Sequence, residues 1–306
     1  MNQQVLHDII HYINDYGRPI DQARLRYLVL GEGLDDVIRL LTTYQNPDGG
    51  FHSLEPDLWS PHSNQLASWT AINILREIPF DSLSPMILKF FYYLEESFNQ
   101  ANERWMILDP KHNDYPHAPW WTYREEMPSF NPSASIAGFI LKHSNPLGKA
   151  FKYANKVARQ AIDFINDTQD PIEPHELRCL IEMMDDINDL FGHYAPYKKA
   201  KNRLILQIDQ AIEKNQSKWF TSYCTKPTQL ISSHPGFGSQ LYFDDLVDEL
   251  SLSVDHRNEY GVWSITWDWS KDYPDAYKDA KRQWEGIQAL NYLRWMIQLG
   301  MIEKET

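Results

Sequence analysis

Cysteine is nearly absent from the chain: Cys179 and Cys224 are the two among 306 residues. Two thiols cannot build the disulfide framework of a small secreted domain, so a reducing, cytoplasmic setting is expected. Long apolar runs are missing too. No stretch approaches the roughly 18 apolar residues of a membrane span, and the opening MNQQVLHDIIHYINDYGRP carries an aspartate where a signal peptide would have its apolar centre. Neither export nor membrane spanning is predicted. Positive charge is scarce, with 29 lysines and arginines against 42 aspartates and glutamates and a formal net charge of -13. Binding a nucleic-acid backbone requires a basic surface, so no nucleic-acid partner is expected. The one basic cluster, Tyr197 to Arg203, reads as a solvated helix start. Strand-like alternation is nearly lacking and no Pro/Gly/Ser-rich linker divides the chain, which predicts one mostly α-helical domain over residues 1–306.

Aromatic residues are what the chain has in quantity: 11 tryptophans and 17 tyrosines. Their polar atoms need partners, which suits pocket walls and helix ends better than dry interiors. Apolar residues recur three and four apart in Val37 to Tyr44, Ala67 to Ile78, Ile87 to Leu94, Ser135 to Leu141, Ala150 to Ile165, Leu177 to Phe191, Leu204 to Ile212 and Trp284 to Leu299, with a further helix before Gly17. The predicted helices come in pairs, and one turn recurs between members of several pairs. LTTYQNPDGGF supplies Gln45, Gly49, Gly50 and Phe51; weaker echoes carry Gln100 and Trp105, Gln169, Gln216 and Trp219, and Gly261 and Trp263. A period of about 50 residues with two helices per unit signals a repeat architecture. Glycine permits positive φ at the turn, Pro47 stops the first helix, and the aromatic packs toward the next pair. Five such pairs plus an amino-terminal one suffice to close a ring.

LTTYQNPDGGF resembles the glutamine-tryptophan repeat of squalene cyclase and other class II terpenoid cyclases and of protein prenyltransferase β subunits; WEGIQALNYLRWM, after GVWSITWDW, is similar to the last repeat of that superfamily. QNPDGGFHSLEPDLWSPHSNQLASWTAINIL, DYPHAPWW and NPSASIAGFIL resemble segments of a bacterial group of about this size that carries the repeat without an assigned activity. Between Gly148 and Phe237 the likeness is one of helix spacing only. The resemblance implies an all-α fold, an α/α toroid of about five to six helical hairpins around a central cavity. The enzymes' own signatures are missing: there is no Asp-x-Asp-Asp acid, and the positions two before Cys179 and Cys224 are Leu177 and Ser222 where the prenyltransferase zinc site has an aspartate.

Two loops concentrate titratable groups. Glu55-Pro56-Asp57 follows the first turn, with His52 and His62 nearby. Two carboxylates can divide acid and base work if burial raises one pKa; alternatively Asp57, Ser60 or Ser63 caps the next helix and Glu55 favours its positive end. Asp114 to Pro132 occupies the equivalent loop of the next unit, where Pro116, Pro119 and Pro128 stiffen the backbone around His117 and the Trp120-Trp121 pair. Those tryptophans form either a ligand wall or wedges between hairpins, and Asn131 is predicted to cap the helix from Ser133. Trp263, Trp267, Trp269 and Trp284 close the chain's end, some of them flooring the cavity. Catalytic candidates are therefore Glu55, Asp57 and His117, and substrate-binding candidates are His62, Asp114, Trp120, Trp121, Trp267 and Trp284.

Asp185, Asp186 and Asp189, and likewise Asp244, Asp245 and Asp248, match the Asp-Asp-x-x-Asp pattern that binds magnesium diphosphate. Each run lies opposite an apolar stripe and is expected to be a solvated helix face. His175 and Cys179 share a face, but two ligands do not make a zinc site; a buried thiol beside a capping histidine is expected, and no metal or other cofactor is predicted. The leading expectation is an enzyme acting on a small, partly apolar, isoprenoid-like ligand by acid–base chemistry. Its rivals are a non-catalytic binding or scaffold module and a glycan-active ring. Oligomeric state is not readable from the sequence.

Overall fold

The computed structural model describes residues 3–125 and 129–303; Pro128 lies outside them. The fold is all-α. Thirteen α-helices occur among the described residues: α1 (Gln3–Tyr16), α2 (Pro19–Leu30), α3 (Leu34–Thr42), α4 (Gln65–Arg76), α5 (Pro85–Glu96), α6 (Ser133–His143), α7 (Lys149–Asp167), α8 (Pro174–Asp186), α9 (Asn188–Phe191), α10 (Ala195–Ala211), α11 (Pro227–Leu230), α12 (Phe243–Ser253) and α13 (Pro274–Gln298). The helix expected over Leu177 to Phe191 is interrupted at Ile187, and α13 begins well before Trp284 because Pro274 starts it at a position where its missing N–H costs nothing. No described helix is long and apolar enough to cross a membrane.

Packing separates two kinds of helix. In α6 every residue from Ser133 to Leu141 is buried, and Gly138 lets its backbone approach α8 so closely that a Cβ would lie 2.8 Å from Met183 Cα. By contrast α7 buries one stripe, Ala150, Ala154, Val157, Ala158, Ala161, Ile162 and Ile165, and exposes the rest. Helix α6 contacts α4, α7 and α8; α10 contacts α7 and α8; α11 joins α8 to α12; and α13 packs against α12, α1 and α2. One apolar cluster runs through all of this from Val5 to Ile302.

Charged side chains stitch the same helices together. Glu77, after α4, accepts from Arg24 of α2 and Arg294 of α13 at 2.8 and 2.7 Å. Arg76 reaches Asp186 of α8 at 2.6 Å and donates to the Ser135 hydroxyl of α6 at 2.9 Å, while the Trp69 indole donates to Glu182 at 2.8 Å. Asp186 is buried and also meets Lys142, and Asp185 accepts from the Ser232 hydroxyl and the Phe237 N–H. The first aspartate run is therefore not the solvated face expected for it: the interruption at Ile187 and the crowding of α8 by α4, α6 and α11 turn two of its carboxyls inward. In the second run Asp244 and Asp248 are exposed. No group of three or more His, Cys, Asp or Glu among the described residues is placed to hold a metal ion.

The repeated turn is real, but its constant residue differs from the one expected. Asn46 N–H donates to the Gly50 carbonyl, Asn99 to Arg104 and Asn258 to Val262. A buried aromatic follows each time: Phe51, Trp105 and Trp263. The indole N–H of Trp105 donates to Leu94 O at 2.7 Å, that of Trp219 to Glu213 O at 2.8 Å and that of Trp263 to Ser253 O at 2.9 Å. Each tryptophan thus satisfies a carbonyl at or just beyond a helix end, where intrahelical partners run out. Gln45 ties the first turn to Gly49 O and Met86 O, whereas Gln100, Gln169 and Gln216 are exposed. The Gln169 turn has no aromatic; Arg203 caps the Ile165 carbonyl in its place.

Candidate functional site

The loop from Phe51 to Asn64 is held from several sides. Gly49 has φ 92°, and a Cβ on Gly50 would lie 2.5 Å from Ser63 Cβ and 2.6 Å from the Tyr93 ring, so the turn can sit against α5 only without side chains there. Arg18 pairs with Asp21 and donates to Leu54 O at 2.8 Å, fixing the backbone just before Glu55. Beyond it, Ala118 N–H donates to Asp57 O and Trp59 N–H to Pro116 O, both at 2.9 Å, which lays the Asp114–Thr122 loop alongside. The two titratable loops meet through their backbones.

Asp57 is buried, and its carboxylate accepts from the Trp269 indole at 2.7 Å and from the Trp267 indole at 3.1 Å. Burial raises its pKa to about 6 even though the indole N–H groups of Trp269, Trp284 and Trp267 favour the anion. The Trp284 N–H completes no hydrogen bond among the described residues, and its ring meets Trp267 edge-to-face at 5.3 Å. Glu55, two residues away, is 6 % exposed, and no side chain among the described residues donates to its carboxyl, on which the Asp57 N–H acts. Burial pushes it well above the ordinary carboxyl range and the Asp57 charge adds to this; Arg18, the Asp57 N–H and Arg178 oppose without prevailing. Neither carboxylate caps a helix: Asn64 caps α4, accepting from Ala67 N–H at 2.8 Å.

Trp269 and Ala118 form a small second core with Ala280, against which Trp59, Trp121, Trp267, Tyr273 and Tyr277 pack. Trp121 is therefore part of this wedge, with an indole N–H that has no partner among the described residues, while Trp120 and Asp114 are exposed. His117 is buried but spends both ring nitrogens locally: Nδ1 donates to Tyr115 O at 2.6 Å and Nε2 lies 3.1 Å from the Thr122 hydroxyl. His62 is exposed and bonds to the Tyr115 hydroxyl at 3.1 Å. Its neighbour His112 is buried against Ser60 and pushed down to about 4 by that burial. The structure thus gathers Glu55, Asp57, Trp267 and Trp284; His117 packs beside them, and His62, Asp114 and Trp120 face elsewhere.

Other residues join this cluster that motif reading passed over. Arg178 of α8 acts on the Glu55 charge and stacks on Trp69 at 5.0 Å, and Tyr223 meets Trp267 edge-to-face at 6.2 Å. The HELRC segment carried a signal, since Arg178 lies one turn from His175; the contact with Tyr223 carried none. Cys179 is a buried thiol near Asn131 Oδ1 at 3.6 Å, and Asn131 is not the cap of α6, whose capping position is Pro132. Two surface grooves of about 300 and 370 Å³ lie away from the cluster, one beside Phe151, Arg159 and Phe191, the other beside Asp8, Arg257 and Tyr260. Comparison with protein-family models, with curated proteins and with solved structures returns no match.

Proposed function

We propose that the helices close into an α/α ring of six successive pairs and that the mouth around Glu55 and Asp57 binds a small, partly apolar molecule of the isoprenoid class and rearranges it by proton transfer. Support for the ring comes from α13 packing on α1 and α2. The observation that carries the chemistry is a pair of buried carboxyls in unlike surroundings, one anchored on two indole N–H groups and the other met by the Asp57 backbone N–H and by no side-chain hydrogen-bond donor among the described residues. Groups whose pKa values are pushed apart in this way divide acid from base. Glu55 is the proton donor, Asp57 is the anion that accepts a proton from a neighbouring carbon, and the faces of Trp267 and Trp284 stabilise positive charge between the two events.

A scaffold role is the second reading. It is favoured by the absence of Glu55 and Asp57 from both grooves and by the use of both Asp57 oxygens in holding tryptophans. Thermal-shift and turnover measurements with a panel of prenyl alcohols and short oligosaccharides separate the readings. The expected result is stabilisation and turnover with prenyl alcohols, with Glu55→Gln retaining the stabilisation and losing turnover by a factor of about 10² or more. A response to oligosaccharides alone moves the assignment to glycans, and no response to either leaves the scaffold.

A further inference from the structure

Across Trp267 from Asp57 stands a second ordered chain of titratable groups. Glu173 Oε2 accepts the backbone N–H groups of His175 and Glu176 at 2.9 and 3.0 Å, capping α8. Its other oxygen, Oε1, lies 2.5 Å from His175 Nδ1. One carboxylate therefore both starts the helix and fixes the imidazole. A carboxylate only accepts, so Nδ1 carries a proton, and in the imidazole form of the ring Nε2 presents a lone pair. That lone pair faces the Tyr223 hydroxyl at 3.0 Å.

We infer that Tyr223 is a second proton-transfer residue of this mouth, with His175 as the base that takes and returns its proton and Glu173 as the group that orients His175. The assignment rests on the proposal that the mouth transfers protons, and it adds the side of the site facing the carboxyl pair. The order of groups is that of a nucleophile, base and orienting acid, with a phenol in the first place. Placement supports it. Tyr223 lies against Trp267, whose indole holds Asp57; burial and then the Glu173 and Asp57 charges raise the phenol's pKa, so it loses its proton only to a base within hydrogen-bond reach, the place His175 occupies. Against its burial, the His175 hydrogen bond and the backbone N–H groups of Glu176 and His175 hold Glu173 anionic. All three side chains are reachable from solvent, as a transfer site requires.

A small aryl sulfonyl fluoride tests the relay without a known substrate. The Tyr223 oxygen attacks sulfur, an S–O bond forms, the S–F bond breaks, fluoride leaves, and the phenol proton passes to His175 Nε2. Peptide mass spectrometry reads the rate at Tyr223 against Tyr92 and Tyr260, which are 63 % and 54 % exposed and serve as references within the same molecule. Tyr223 is expected to react at least about tenfold faster than either. In His175→Asn and in Glu173→Gln the rate falls to the reference level, since glutamine cannot hold the same tautomer. Labelling no faster than at Tyr92, or unaffected by His175→Asn, overturns the relay. Fast labelling with an unresponsive ligand panel overturns the Glu55–Asp57 reading and leaves the relay standing.

Discussion

Asp57 and Glu55 sit two residues apart yet answer to different surroundings, and pH separates them. Asp57 titrates at about 6 in the folded chain against an ordinary 3.8. Between those values the folded chain retains a proton that the unfolded chain has released. This carboxyl's contribution to stability is therefore fully present below about pH 4 and is lost as pH rises through about 6. Asp57→Asn should remove that slope, worth about 3 kcal/mol, and urea unfolding of both proteins in acid and at neutral pH checks it. Asparagine keeps one acceptor oxygen for two indole N–H groups, a pH-independent loss that the comparison of slopes excludes. Glu55 has the same sign, since burial raises it as well. Glu55→Gln is expected to raise the thermal midpoint at neutral pH and leave it unchanged in acid, as for a functional carboxyl kept protonated by burial at a cost in stability.

The recurring turn is where element and packing meet. Trp105 fills buried space and donates to the last turn of α5, so Trp105→Phe leaves a carbonyl without its partner and a small void. A loss of about 2–3 kcal/mol is expected by denaturant unfolding. Gly50→Ala drives a Cβ into Ser63 and Tyr93 and should cost at least about 2 kcal/mol; hydrogen exchange should rise first in the Phe51–Asn64 loop that carries Glu55 and Asp57. Most helix positions and the aromatic of each turn were legible in the sequence, because periodicity and turn chemistry are local; α2 was not, since it buries Asp21 and Arg24 beside its apolar residues and shows no clean apolar stripe, and α11 and α12 were not among the helices expected from apolar periodicity. The asparagine that builds the turn was not singled out, since its work is a backbone hydrogen bond across a gap of four or five residues. The Asn64 cap was likewise hidden among several polar neighbours able to do the same.

At the scale of the molecule, Glu77 joins three helices distant in sequence. Arg294 depends on it alone while Arg24 also pairs with Asp21 at 2.9 Å, so Glu77→Gln leaves the Arg294 guanidinium without a carboxylate beside a second cation. A loss of about 3 kcal/mol is expected, with a single unfolding transition retained if the first and last helices melt together. The contact between α13 and α1 is reinforced by the Tyr12 hydroxyl donating to Glu285 at 2.6 Å. Loosening it by Tyr12→Phe should raise hydrogen exchange in α1 and α13 equally.

Local order was therefore largely written in the chain: most helical segments, the turns between them and the aromatic that closes several of these turns follow from neighbours within a few residues, whereas α2, α11 and α12 were not read from periodicity. The candidate site was half written. Glu55, Asp57, Trp267 and Trp284 stood out by their chemistry, whereas Arg178 and Tyr223 entered the cluster only through folding, and His117 lost both ring nitrogens to its own loop. The inward turn of Asp185 and Asp186 was decided in the same way. A helical wheel assigns faces relative to one core, but a helix wedged among α4, α6 and α11 has neighbours on nearly every side. What covers each face is then set by packing between segments far apart in sequence, and that information exists only once the chain has folded.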